Sequence, residues 1–153
     1  MNNLSIFTYQ PQYQIDFKRL NVAWIARYFT VETHDVEQLD DPEGHILRDG
    51  GHILLAETEG AIVGTVAMVR AGTDVFELAK MAVDEAFQGR QIGKRLGEAA
   101  LDWARQQGAR EVFLESNRRL ATALALYQRL GFQEVALVET PYARADIRMA
   151  LRL

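Results

Sequence analysis

The chain has no cysteine among its 153 residues. Disulfide scaffolds, cysteine-based zinc sites and cysteine nucleophiles are therefore excluded together. Proline is scarce, at three residues (Pro11, Pro42, Pro141), and no proline-rich linker, internal repeat or low-complexity stretch divides the chain. No run of 18 apolar residues occurs, so no segment reads as a membrane-spanning helix. The opening MNNLSIFTYQ lacks a basic flank and a long apolar stretch, and does not read as a secretory signal. Positive charge is in the minority, with 17 Lys and Arg against 21 Asp and Glu, a net charge of -4. Nucleic-acid binding through bulk charge is thereby disfavoured. What is present is ordinary globular composition, 48% hydrophobic and 25% charged, over one domain's length. The expectation is a single domain over residues 1–153, cytoplasmic, with no nucleic-acid or membrane partner.

The charge is unevenly placed. Residues 32–43 carry six carboxylates (Glu32, Asp35, Glu37, Asp40, Asp41, Glu43) and no Lys or Arg. Residues 88–119 carry seven bases against four acids. Solvated surface explains any one of these charges; the two territories together suggest an anion handled on one side and a cation on the other.

Hydrophobic period supplies the elements. Leu4–Tyr9 alternates as a strand, and Phe17, Leu20, Trp24 and Tyr28, widened by Ile25 and Phe29, recur at helical spacing. Strands are expected at His52–Glu57, Ala61–Arg70 and Asp74–Val83, with Glu59-Gly60 as a two-residue hairpin turn. The period then becomes helical through Ile92, Leu96, Ala100 and Trp103, ending at Gly108. A strand at Glu111–Glu115 follows, then a helix with the stripe Leu120, Leu124, Tyr127, Leu130, capped by Ser116 or Asn117. Strands at Phe132–Leu137 and Ala145–Leu151 finish the chain. The fold class is α+β (mixed α/β), a mostly antiparallel six- to seven-stranded sheet with helices on both faces, containing one parallel crossover at 74–115.

Gln88-Gly89-Arg90-Gln91-Ile92-Gly93-Lys94 joins a strand to a helix. Free N–H groups and the dipole of a first helical turn suit a phosphate or pyrophosphate, and Arg90 and Lys94 add charge. An ordinary glycine-containing turn is the alternative. A Walker A loop fails because Arg95 follows Gly93-Lys94, and the dinucleotide fingerprint fails on glycine spacing.

These segments, Glu77-Leu-Ala-Lys-Met-Ala-Val83, Gln88–Gly93, Glu115-Ser-Asn117 and Leu126-Tyr127-Gln-Arg-Leu-Gly131-Phe132, together resemble the GNAT superfamily of N-acetyltransferases. The likeness is strongest over about residues 50–153. Gln88 and Gly93 match the ends of that family's pyrophosphate motif, Arg/Gln-x-x-Gly-x-Gly/Ala; Gln91 departs at its middle glycine. If that position needs a positive φ, glutamine costs on the order of 1 kcal/mol there. The segment Pro141–Asp146 is also similar to acetyltransferase halves of winged-helix regulator fusions.

The resemblance implies an acyltransferase that uses acetyl-CoA as co-substrate and needs no metal. Backbone near Met81, Ala82 and Val83 would meet the pantetheine arm; Gln88, Gly89, Arg90, Gln91, Ile92, Gly93 and Lys94 would hold the pyrophosphate; Asn117 would also touch the coenzyme. Tyr127 matches the general acid for the departing thiolate, although its place on an apolar stripe also fits plain packing. Glu77, eleven residues before Gln88, is the candidate base; a core salt bridge is its alternative role. Without cysteine, direct attack by the amine in a ternary complex is the simplest route. The acceptor is expected to be a primary amine of a small molecule, such as an amino acid or similar zwitterion, held by Glu32 and Arg144, the latter with Arg27 or Arg48. A protein or peptide amine, or a non-catalytic acyl-CoA-binding sensor, are the alternatives, and family members often form homodimers.

Overall fold

The structure is a computed structural model and describes residues 3–153. Its seven strands lie in one sheet in the order β1-β2-β3-β4-β5-β7-β6. They are β1 (Ser5–Thr8), β2 (His52–Thr58), β3 (Ala61–Gly72), β4 (Val75–Val83), β5 (Glu111–Ser116), β6 (Gln133–Val135) and β7 (Ile147–Arg152). The helices are α1 (Gln14–Tyr28), α2 (Thr33–Asp40), α3 (Ile92–Gln106) and α4 (Ala121–Leu130). Every pairing is antiparallel except β4–β5, as expected for the strand–helix–strand unit.

The alternation of β2 and β3 divides the core in two. Leu54, Ala56, Val63, Val66 and Met68 point to the α3 side, where Ile92, Leu96, Ala100 and Ala104 meet them. Ile53, Leu55 and Ala67 point to the other side, onto Phe17 of α1, Leu39 of α2 and Ile46. Helices thus cover both faces. Glu59 and Gly60 both have positive φ (53° and 78°), the geometry that matches a tight turn to the twist of β2 and β3. On the α3 side, a Cβ at Gly97 would lie 2.6 Å from Leu130 Cδ1, so glycine permits α3 and α4 to approach this closely.

Three expectations shift. Tyr28 lies on the expected stripe of α1 but is 39% exposed, being the last residue of the helix, while Ile25 one turn earlier stays buried. The α4 cap is Leu120, with no side-chain capping bond; the Asn117 side chain instead accepts from Arg119 N at 2.9 Å inside the preceding turn. The expected strand Phe132–Leu137 is curtailed to β6, and residues 136–146 leave the sheet. That loop is recruited elsewhere, since Tyr142 and Arg144 are bonded to side chains of α2 and β4.

Candidate active site

The parallel strands β4 and β5 pair at only three positions, Val75 with Glu111, Phe76 with Val112 and Glu77 with Phe113. Beyond Glu77 they diverge, so the edge of β4 from Leu78 onward has no strand partner on that side. The opening becomes a cleft, floored by Glu77–Met81 of β4 and by Glu115 and Ser116 of β5 with Asn117 just beyond it. Trp24, Ile25 and Phe29 of α1 and its end wall it on one side; Leu120 and Tyr127 of α4, with Tyr142 and Arg144 of the loop, complete it.

A bulge in β4 governs which side chains enter. Between the pairs Thr65–Ala82 and Ala67–Ala79, β4 has one residue more than β3, and Lys80 takes a left-handed φ of 53°. The bulge flips the alternation after Ala79. Sequence alternation places Lys80 opposite Glu77, solvent-facing or structural, and groups Glu77 with Met81 and Val83. The structure corrects both. Met81 and Val83 turn to α3, where both lie near Gly93, while Lys80 joins the face of Glu77 and is buried.

Lys80 is the hub of a buried ionic cluster. Its Nζ donates to Asp35 Oδ1 and to Tyr142 Oη, each at 2.8 Å. Asp35 is fully buried and also accepts from Arg144 Nη1 and Nη2 at 2.7 and 2.8 Å, and from the Glu32 N–H at 2.9 Å. Burial alone would raise the Asp35 pKa; the Arg144 hydrogen bonds and the Lys80 charge outweigh it and hold the carboxyl well below its ordinary range. Burial lowers the Lys80 pKa, against the pull of Asp35. Glu32 and Arg144 do border the site, but they are paired with each other at 3.2 Å. Arg27 is likewise engaged, with Glu85 at 3.5 Å.

Glu77 stands apart from this cluster. Its carboxyl has no hydrogen bond or ion pair among the described residues. Burial, then the charge of Glu115, push its pKa up to about 7, against the opposing pull of Lys80 and Arg148. A carboxyl poised there can exchange a proton at neutral pH. Tyr127 faces the same cleft from α4, and burial pushes its pKa up to about 12, so it enters any reaction protonated. Both expected catalytic residues therefore border one space.

The expected coenzyme residues follow the outer end of β4. Gln91 is the residue before α3 and has φ 62°, so the left-handed requirement is met by glutamine. Gly89, also left-handed at 82°, completes the turn. No side chain caps α3, and its first-turn N–H groups remain free for an anion. Gln88, Gly89, Arg90 and Gln91 are exposed, Ile92 is buried beneath them, and Gly93 packs against Leu126 of α4. Arg90 pairs with Glu59 and lies over the Phe87 ring, leaving Lys94 as the loop cation without an ion pair among the described residues. Met81 lines the cleft; the Ala82 side chain turns away, beside Thr65. Asn117 also lines the cleft, with its amide donating to Arg144 O at 2.8 Å. These features fit a thioester arm along β4 ending in a pyrophosphate at α3.

Asp35, Tyr142, Trp24 and Phe29 were not singled out as site residues by sequence. Asp35 sat unremarked within the acidic stretch, and Tyr142 within the Pro141–Asp146 segment. Their significance depends on the bulge at Lys80, which leaves no local mark in sequence.

Comparison with known proteins identifies the family to which this fold and cleft belong. A model of the Acetyltransferase (GNAT) family matches residues 16–132, and the chain belongs to that family. It is 33% identical over 104 residues to the uncharacterized N-acetyltransferase YjgM of Escherichia coli K12, covering 65% of this chain and 62% of that protein. It is 39% identical over 89 residues to N-alpha-acetyltransferase RimI of Mycobacterium tuberculosis H37Rv, covering 56% and 54%. The chain thus spans less than two thirds of the length of these relatives. An acetyltransferase of the GNAT family from Staphylococcus aureus Mu50 shares the fold with a TM-score of 0.89 at 21% identity, over 98% of this chain and 99% of that one. The paia N-acetyltransferase of Thermoplasma acidophilum, solved with coenzyme A, has a TM-score of 0.78 at 16% identity, over 99% of both chains.

Proposed function

We propose that the chain is an acetyl-CoA-dependent N-acetyltransferase that acts on a primary amine by direct attack within a ternary complex. The observation that carries this is the gap between β4 and β5, bordered by an unpaired carboxyl from one side and a protonated phenol from the other. Acetyl-CoA supplies the activated thioester. Free N–H groups of the α3 first turn and Lys94 would hold its pyrophosphate, and the unpaired edge of β4 its amide-bearing arm. A β4 N–H near Met81 would polarise the carbonyl oxygen.

Glu77 takes a proton from the bound ammonium and passes it to solvent, the freed nitrogen bonds to the acetyl carbon, Glu77 takes and passes on the nitrogen's second proton, and the carbon–sulfur bond breaks. Tyr127 gives its proton to the departing sulfur, and solvent restores it. The products are an N-acetyl amine, the coenzyme thiol and one proton released to solvent, so atoms and charge balance. The coenzyme-A complex of the Thermoplasma protein and the acetyltransferase names of the relatives support the co-substrate. Initial-rate kinetics of thiol release, with acetyl-CoA and amine both varied, test the scheme. Intersecting reciprocal plots are expected. Parallel plots would mean a covalent acyl-enzyme and overturn direct attack; no amine-dependent thiol release would leave a binding domain.

A further inference from the structure

The charges at the acceptor end of the cleft balance almost completely. Lys80 and Arg144 line it, with Arg148 beside Glu115, and each of the three already has a carboxylate: Lys80 with Asp35 at 2.8 Å, Arg144 with Asp35 at 2.7 Å and Glu32 at 3.2 Å, Arg148 with Glu115 at 4.0 Å. The Asp35 and Glu115 side chains are 0% and 5% exposed, so neither can release its partner by turning to solvent. Of the acids at this end of the cleft, Glu77 alone has no ion pair among the described residues. A ligand ammonium beside Glu77 would complete the balance. A ligand carboxylate would find no free cation among the residues that line the cleft and would add a second unmatched negative charge in a confined space, which is strongly unfavourable.

One wall of the cleft is apolar, built from Trp24, Ile25 and Phe29. Two bridges join the elements around the cleft. Arg119 donates to Tyr28 O at 2.8 Å with its guanidinium over the Phe29 ring, and Ala143 N donates to Glu32 at 2.8 Å. They tie the end of α1 and the α1–α2 link to the segments before α4 and β7, so these walls are less free to part around an extended peptide.

Building on the acetyl-transfer reading above, we propose that the acceptor is a small monocationic amine with an alkyl or aryl body and no carboxylate. This replaces the zwitterion expected from the charge territories, because Glu32 and Arg144 neutralise each other and are not free to grip a ligand.

The test is a matched series on the full chain with acetyl-CoA, read as thiol release. The aryl set is phenethylamine, phenylalanine methyl ester, phenylalanine and a phenylalanyl tripeptide amide; the alkyl set is pentylamine, norleucine methyl ester and norleucine. In at least one set, the simple amine and the ester should exceed the free amino acid in kcat/KM by about 100-fold or more, the scale set by an unmatched charge. The simple amine should also exceed the tripeptide amide. A smaller gap between ester and amino acid in both sets overturns the proposal, as does preference for the tripeptide amide. Those outcomes leave N-acetylation standing. If no amine in either set, and no amine in a broad panel, raises thiol release above hydrolysis, the acetyl-transfer reading fails and this inference fails with it.

Discussion

Replacing Asp35 by asparagine keeps the shape of the side chain and removes its charge. In the native protein that carboxylate is fully buried and accepts four hydrogen bonds, from Lys80, twice from Arg144, and from Glu32 N. Arg144 retains Glu32, at 3.2 Å, but the Lys80 ammonium, with a side chain 4% exposed, loses its only ion-pair partner among the described residues. Removing one partner of a buried pair costs about 3–5 kcal/mol. For a domain of this size that lowers the melting temperature by roughly 6–20 °C. The cost depends on pH with a definite sign. Asp35 has a depressed folded pKa, so its contribution is complete above its unfolded value and is lost as pH falls through the folded one. The gap between wild type and Asp35→Asn should therefore be full at pH 7 and narrow progressively below about pH 4. Adding Lys80→Met to Asp35→Asn removes the stranded charge and should recover about 1–3 kcal/mol of the loss. Urea and thermal unfolding at pH 7 and pH 3, on all three variants and wild type, measure these quantities. A loss under about 1 kcal/mol at pH 7 would refute the claim that a buried ionic cluster holds the cleft, as would a gap that does not change with pH.

The other predictions concern the cleft directly. Glu77→Gln should lower kcat by about 100- to 10,000-fold and abolish the rise of kcat through pH of about 7 at saturating amine, where Glu77 loses its proton. The same variant should be more stable at neutral pH by about 1–3 kcal/mol, because a raised carboxyl pKa makes the native state lose stability as pH rises from the unfolded pKa through the folded one. An unchanged pH profile would assign the base elsewhere. Tyr127→Phe should lower turnover by about 10- to 1000-fold with little change in acetyl-CoA binding by calorimetry; full turnover at saturating substrate would remove Tyr127 from the mechanism. Gln91→Gly should leave stability unchanged or raise it by up to about 1 kcal/mol, relief of the positive φ being partly offset by chain entropy, whereas Gln91→Val should destabilise by more than about 1 kcal/mol. Thermal melts decide, and a stable valine variant would contradict the left-handed turn.

Sequence by itself determined the order and type of the elements, because those depend on local period and punctuation. The strand-to-helix switch at 83–92, the Glu59-Gly60 turn and the glycines after α3 and α4 all express backbone preferences that short segments carry alone. It also located Glu77, Tyr127 and the α3 turn, since each occupies a fixed place within one element. Sequence also raised the question of a positive φ at Gln91, and the turn has it.

Tertiary structure decided what the charges do. Alternation places Lys80 away from Glu77 because period two assumes an unbroken ladder; the extra residue in β4 against β3 breaks it. Whether Asp35, Lys80 and Arg144 meet depends on α2, β4 and the loop before β7 converging, residues 35, 80 and 144 being far apart along the chain. Coulomb interactions and burial act through space and not along sequence, so an acidic stretch that reads as a lure for an amine becomes, once folded, the counter-charge of a buried lysine and arginine. Only then does Glu77 emerge as the acid left unmatched.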